Sequence, residues 1–505
     1  MRDEIREVTI VAGGPVDAAR LVSSEEPGTA IRVLCAEEGS KDERAALEGA
    51  LAEASRRGCA VRGGPVYAGG AGGSGAPLLR ELRGLRPRWV RIADPDPTRV
   101  DFDADAGVPV HAEPRRGAAA LAALAAVRAL QLESGVPVFV ECRRDADEDL
   151  GAAAGARYPR TAKWLTEGFD GRLTAFLPSA AGVVRWTQAE PGGTGWLGPE
   201  LLPGPRLMPG LSVVRDPCGF VHLFALRRSA RADGGDDVEI VHAVQYRTGR
   251  ALTPWRSLGT PNPGDRYKSR EGGFPAAGFD RAGGLFVFAR NFGHSVSFRH
   301  QSPDGTWTGW YHLSGLRVAD ELVAVTTAHG DVELLARTRD TGAVVRWHRT
   351  GAEGAWTEDR GVPFTPVPGS MAAGAEPGTV LFRDASTREP AVWWPGAAAP
   401  LLLGGGGGDG PPTAVRGVDV DGWTCTVLVG SGPDGRRLVG GYVEGRPDTG
   451  VWWSGAGTTA AFSPTAVRAR NGALTLAALT ADGRLAVAHR TSRSNGLEFG
   501  SGYTV

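Results

Sequence analysis

Beyond Gly171 the chain is a repeat. Short alternating runs of about five residues recur, separated by Gly, Pro, Asp and Asn turns, with no helical spacing between them. Each unit holds a strongly apolar strand, then a strand ending in an aromatic or His, then a second aromatic about ten residues later. Trp186 and Trp196 form the first pair, Tyr246 and Trp255 the second. Phe298 with Trp307 and Trp310 forms the third, and Trp347 with Trp356 the fourth. The fifth unit is abbreviated, with Trp393-Trp394 before Pro395. Tyr442 with Trp452-Trp453 is sixth, and His489 with Phe499 marks a degenerate seventh. The apolar strands VHLFAL, LFVFAR, VELLAR, TVLFRD, TCTVLV and LTLAAL fall just upstream of the later pairs.

Units of about 45 to 60 residues with three or four strands fit propeller blades, and seven lies within the usual blade range. One blade cannot bury both of its faces, so neighbours must cover each other and ring closure must hide the end edges. Glycine, 74 of 505 residues, is spread along the chain as many tight turns require. The run Gly404 to Gly408 reads as a loose loop between the fifth and sixth units.

The first third of the chain has a different pattern. Val8–Ala12 and Ile31–Cys35 are short apolar β-branched runs. Lys41–Arg57 has Ala46, Leu47, Ala50, Leu51 and Ala54 at helical spacing, with Gly58 placed as a cap. A strand at Cys59–Val61, a helix at Pro77–Leu85 and a strand at Pro87–Ile92 follow. A helix at Gly117–Leu132 and a strand at Val136–Glu141 complete the series. Strands alternating with helices predict a Rossmann-like parallel sheet covered on both faces. The expected architecture is therefore two-domain: an α/β domain over 1–165 and an all-β seven-bladed propeller over 166–505. Ligands of such sheets bind beyond the carboxyl ends of the strands, which singles out the loops Gly13–Asp17, Ala36–Lys41, Asp94–Asp105 and His111–Arg116. The first has neither a GxGxxG turn nor a phosphate-loop lysine, so a nucleotide site is not expected.

The segments VTIVAGGPVD, IRVLCAEEG, SKDERAALEGALAEA, LRPRWVRIADPDP and VHAEPRRGAAALAALAAVRAL resemble the PIG-L (LmbE-like) family of zinc-dependent N-acetyl-sugar deacetylases. The resemblance spans most of residues 7–180 and is greatest to the actinobacterial members that carry a C-terminal propeller. It implies an AHPDD motif after the first strand and an HxxH motif before the Ala-rich helix. Together these would supply two His and one Asp to zinc, and a carboxylate base to activate a water. Here Gly13 stands at the first His position and Asp17 is the surviving carboxylate. Glu113 and Arg116 stand at the HxxH histidines, and a guanidinium has no lone pair to offer a metal. Residues 1–165 contain a single histidine, His111. The expectation is a deacetylase-like fold without zinc or other cofactor, with Asp17, Glu113 and Arg116 as the residues of any remaining activity. Asp17, Glu37, Glu38, Asp94, Asp96 and Glu113 could share one rim, as solvated carboxylates or as an oxygen-only site better suited to Mg²⁺ or Ca²⁺ than to Zn²⁺.

The repeat in turn resembles the fucose-binding, PLL-like propeller lectins, whose sugar sites lie between blades on Trp or Tyr platforms. That resemblance implies carbohydrate as a partner. Trp310, Trp394 and Trp453 are the expected ligand-binding residues; in each Trp-Trp pair, strand alternation lets only one ring face the core. The other recurring Trp residues are expected to pack between blades.

Net charge is −1, with 56 basic and 57 acidic residues, which gives no reason to expect nucleic acid or an anionic membrane as partner. The five cysteines are odd in number and lack a CxxC, and read as free, mostly buried thiols. The N-terminus has no signal-peptide pattern and no run approaches 18 apolar residues, so the chain reads as soluble and cytoplasmic. His294, His300 and His312 form no metal motif. Three readings of function follow: a disarmed deacetylase domain joined to a carbohydrate- or partner-binding propeller; a repurposed metal-free enzyme on a sugar-like or amide substrate; and an active zinc deacetylase. The first is preferred, and leans away from catalysis.

Overall fold

The computed structural model describes residues 5–69, 75–95, 101–102, 109–110, 114–143, 158–159, 161–232, 236–265, 268–270, 272–349, 354–406, 408, 410–432, 436–459, 462–491, 496–500 and 502–505. The N-terminal layer runs β1 (Glu7–Ala12), α1 (Pro15–Ser23), β2 (Ala30–Cys35), α2 (Lys41–Arg56), β3 (Ala60–Val61), β4 (Val66–Tyr67) and α3 (Gly75–Leu85). It continues with β5 (Trp89–Ala93), the ribbon strands β6 (Asp101–Phe102) and β7 (Pro109–Val110), α4 (Pro114–Ser134) and β8 (Phe139–Arg143). The sheet order is β3-β2-β1-β5-β8, with β4 also on β2 and every pair parallel. Ile10, Ile31 and Val33 face Leu21, Leu47 and Leu51 of α1 and α2; Val11, Val90 and Ile92 face Leu78, Leu82 and Val127 of α3 and α4. The sheet is thus covered on both sides, as its near-continuous apolar strands demand.

Local chemistry sets the ends of α2. Ser40 and Glu43 form a reciprocal capping box, and Gly58 follows the helix at φ 99°, a left-handed conformation that a side chain disfavours. Several short stretches depart from the sequence reading: β4 is not expected from it, β6 lies in the expected loop Asp94–Asp105, and α4 begins inside the expected loop His111–Arg116. Gly13–Asp17 reads as a loop, yet Pro15–Ser23 is helix α1, with Pro15 in its first turn where a missing N–H costs nothing.

The rest of the described chain is seven sheets of four antiparallel strands, each built from consecutive strands. They cover residues 165–203, 212–259, 276–313, 318–359, 372–402, 413–459 and 465–504. This is a seven-bladed β-propeller, with the first strand of each blade against the central channel. The predicted units match the blades one for one. Each apolar run is a second strand, and Leu285–Arg290 and Val332–Thr338 are buried at every residue because a blade covers each side. The first hairpin of each blade turns on a glycine of positive φ, as at Gly219 (93°) and Gly283 (86°).

The Gly404–Gly408 stretch does lie between blades five and six, but it is packed rather than slack. A Cβ on Gly405 would stand 2.6 Å from the Trp453 ring, so glycine is needed there by close approach. Gly407 falls outside the described residues. All five cysteines are free; four are buried and Cys218 is exposed. None of the described helices is long and apolar enough to cross a membrane.

Among the described residues no strand is exchanged between the first and last blades, and side chains close the ring. Trp164 donates its indole N–H to the Ser463 carbonyl at 2.9 Å, and the Arg470 amide donates to Glu167 Oε1 at 2.8 Å. The N-terminal layer docks over this seam. Trp89 donates to the Ala481 carbonyl at 2.8 Å and stacks on Phe139, ring centroids 4.9 Å apart. Arg128 reaches the carbonyls of Ala180 and Leu207, and the Ala180 amide bonds the Val138 carbonyl. Ala180 and Ala481 lie in turns between second and third strands, and Leu207 lies between blades. The layer therefore covers the face formed by these turns. Among the described residues the opposite face, made by the first–second and third–fourth turns, is open.

Candidate functional site

Two places carry chemistry. The first is the crevice at the carboxyl ends of β1 and β5. The chain leaves β1 toward β2 on one side and reaches β5 on the other, the switch point at which open parallel sheets bind ligands. Asp17 in the first turn of α1 faces Arg116 in the first turn of α4, Oδ1 to Nε 3.3 Å, with the two side chains 17% and 10% exposed. A Cβ on Gly13 would lie 2.8 Å from the Ala119 Cβ and 3.4 Å from Asp17 Oδ2. Any side chain at Gly13 would collide with α4. Cys35 ends β2 beside this pair; burial, and then the Asp17 charge, push its thiol up to about 12, so it is not a nucleophile at neutral pH. Asp94 is buried after β5, whereas Glu37 and Glu38 are exposed and Glu38 pairs with Arg44 at 2.8 Å. Asp96, His111 and Glu113 lie outside the described residues.

The resemblance to zinc deacetylases implies a metal here, and the residues do not suit it. The position of one expected ligand is a glycine with no room for imidazole, and that of another is a guanidinium turned onto the surviving carboxylate. Among the described residues no three His, Cys, Asp or Glu side chains form a metal-binding group.

The second place is the open face of the propeller. Six aromatic residues are exposed among those described: Phe169, Tyr246, Tyr311, Trp394, Trp423 and Trp452, from 39% to 65%. All six sit in, or at the edge of, first–second or third–fourth turns, and so on the open face. The remaining recurring aromatics serve the ring. Trp186, Trp347 and Trp393 are buried, and Trp347 donates to the Ser314 carbonyl of the preceding blade at 3.0 Å.

Of the ligand-binding residues expected from sequence, Trp394 lies just past its strand and is 39% exposed. Trp310 and Trp453 are half-buried and donate to the Leu258 and Leu403 carbonyls of the preceding blades at 3.0 and 2.8 Å. In the Trp452-Trp453 pair it is Trp452 that turns its ring outward, resting on Gly441. Strand alternation foretold one ring out and one in, but not which.

The channel between the first strands encloses about 520 Å³. Lys163 stands inside it with Nζ 3.3 Å from the Gly374 carbonyl, and although water reaches the side chain, the surrounding wall pushes its pKa down to about 8.

A buried pair escaped the sequence reading. His222 and His242 sit on adjacent strands of blade two, Nδ1 to Nε2 2.9 Å, with Asp216 Oδ2 3.5 Å from His222 Nε2. Phe279 and Trp307 of blade three cover them edge-on. The available signal was two histidines at inward positions of VHLFAL and IVHAVQ. Burial pushes both pKa values below the ordinary 6.5; Asp216 opposes this at His222, while His222 and Arg256 add to it and take His242 to about 3. Folded-state pKa values below the unfolded ones make the stabilisation present above pH 6.5 and lost as pH falls. Blade three holds Phe286 and Phe298 at the corresponding positions, ring centroids 6.3 Å apart. The double variant His222→Phe/His242→Phe is therefore expected to fold and to lose much of the fall in Tm between pH 7 and 5; an unchanged acid limb would show that other groups control it.

No known family profile matches the chain, and no curated protein sequence matches it. Among solved structures it is similar to the BP39L lectin from Burkholderia pseudomallei, at 16% identity and a TM-score of 0.48, over 68% of this chain and 100% of the lectin. AofleA from Arthrobotrys oligospora is similar at 12% identity and a TM-score of 0.38, over 69% of this chain and 95% of that one. The Aleuria aurantia lectin, in complex with Fucα1-6GlcNAc, is similar at 11% identity and a TM-score of 0.33, over 58% and 94%. The propeller assignment rests on the sheet topology rather than on these values.

Proposed function

We propose that this chain is a carbohydrate-binding protein whose propeller binds sugar on its open face, and whose N-terminal layer is a deacetylase-like scaffold that works without zinc. The observation that carries the reading is the placement of all six exposed aromatics on the face opposite the docked layer. Exposed rings are energetically unfavourable in water unless something covers them, and a ring face complements the C–H face of a sugar.

A glycan array probed with the full chain tests this reading. Binding is expected, and is expected to fall when Trp394, Trp423 and Trp452 are replaced together by alanine; these rings are on the surface, so the variant should fold. No binding to any glycan would refute it. For the N-terminal layer, metal analysis of the purified protein is expected to find zinc far below one per chain. Stoichiometric zinc lost on replacing Asp17 would overturn that part.

A second reading, metal-free chemistry on a sugar-like substrate, is favoured by one contact. Asp17 faces Arg116 inside a largely water-shielded crevice, where a carboxylate could accept a substrate proton while the guanidinium holds an oxygen. Turnover abolished by Asp17→Asn, with the fold intact, would establish it.

A further inference from the structure

Blades seven, one and two meet on the open face around Gly219. A Cβ placed there would lie 3.2 Å from Arg470 Nη2, 3.3 Å from Arg215 Nη2 and 3.3 Å from the Phe169 Cα. Two guanidiniums from different blades therefore converge beside an aromatic patch. Phe169 and Phe220 have ring centroids 6.0 Å apart, and Phe220 meets Tyr246 edge-on at 5.0 Å. Phe169 and Tyr246 are 57% and 53% exposed.

The carboxylates nearby are already committed. Glu167 is 4% exposed and sits between the two arginines, 3.8 Å from Arg215 and 3.6 Å from Arg470, while also accepting the Arg470 amide. Asp216 accepts the Phe220 amide at 2.7 Å and turns its other oxygen to His222. Asp170 holds Arg172 and the Thr248 hydroxyl. Two guanidiniums against one buried carboxylate leave positive charge at the surface, where Arg215 and Arg470 are 35% and 54% exposed.

We propose that this junction binds a carboxylate-bearing sugar residue, its apolar face on Phe169 and Tyr246 and its carboxylate on Arg215 and Arg470. The pairing follows from chemistry: arginine forks match carboxylates, and rings match sugar C–H faces. The inference rests on the reading that the open face binds saccharides, and it names the ligand class at one place on that face.

Titration calorimetry on the full chain tests it with two acidic probes, trigalacturonate and 3′-sialyllactose, each against a neutral counterpart, methyl-esterified trigalacturonate and lactose. The expected result is that one acidic probe binds about tenfold or more tighter than its neutral counterpart, and more weakly as salt rises. Arg215→Gln and Arg470→Gln should each remove most of that preference, whereas Tyr246→Ala should weaken the acidic probe and its neutral counterpart alike. Arg470 also holds the Phe169 carbonyl and Glu167, so Arg215→Gln and Tyr246→Ala keep the test independent of its structural role. Equal affinity for acidic and neutral probes, or arginine variants that behave as the parent, would overturn the inference. Neutral glycans bound on the array with no acidic preference would leave the broader reading standing; no saccharide bound at all would end both.

Discussion

Replacing Asp320 with alanine is expected to destabilise the protein by about 3–5 kcal/mol, the usual cost of stranding a buried charge. Asp320 and Arg290 join blades four and three, Oδ1 to Nε 2.5 Å, with side chains 2% and 1% exposed. The next residue, Glu321, accepts Arg337 of its own blade at 3.2 Å and the Met371 amide of blade five at 2.9 Å. One strand start thus ties three blades together. The loss should be nearly independent of salt, since screening hardly reaches buried pairs. The double variant Asp320→Leu/Arg290→Met removes both charges and is expected to recover most of the stability. Denaturant midpoints for the two single variants and the double variant form a cycle that isolates the pair. An Asp320→Ala variant within about 1 kcal/mol of the parent would mean that the guanidinium finds water instead.

Trp89→Ala is expected to cost a similar amount, about 3–5 kcal/mol, by a different route. Its ring is 1% exposed, stacked on Phe139 and covered by the Arg6 guanidinium 4.5 Å from its centroid. Removing it empties the joint between the N-terminal layer and blade seven. The expected sign is a thermal transition that splits in two, the N-terminal layer melting first. Trp89→Phe keeps most of the packing and loses only the bond to the Ala481 carbonyl, so about 1 kcal/mol is expected. Equal losses from both variants would place the value of this residue in its N–H rather than its ring.

The blades were legible in the sequence because strand alternation and turn chemistry are local. The second strands of blades two to seven were visible as apolar runs, and the turns between strands as Gly, Pro, Asp and Asn. The parallel sheet was legible for the same reason, helix by helix. α1 was missed although its buried Pro15, Ala18, Leu21 and Val22 recur at helical spacing, because the glycine pair followed by Pro15 reads as a turn. The crevice was half legible: the missing histidines could be read directly, but that Arg116 turns onto Asp17 and that Ala119 fills the space beside Gly13 could not.

The sequence by itself determined the class of each part, the number of blades and the absence of histidines where the deacetylase resemblance requires them. These follow from residue identity and from periods of two and 3.6, which a strand or helix imposes on its own side chains. Only the tertiary structure decided which aromatics meet solvent. Exposure depends on what lies across the ring, and that is set by the neighbouring blade and by the layer docked over the seam. Trp452 and Trp453 are chemically identical, yet one rests outward on Gly441 and the other donates to Leu403. Phe169, Gly219 and Tyr246 meet when blades one and two pack together, and Arg470 of blade seven joins them only when the ring closes.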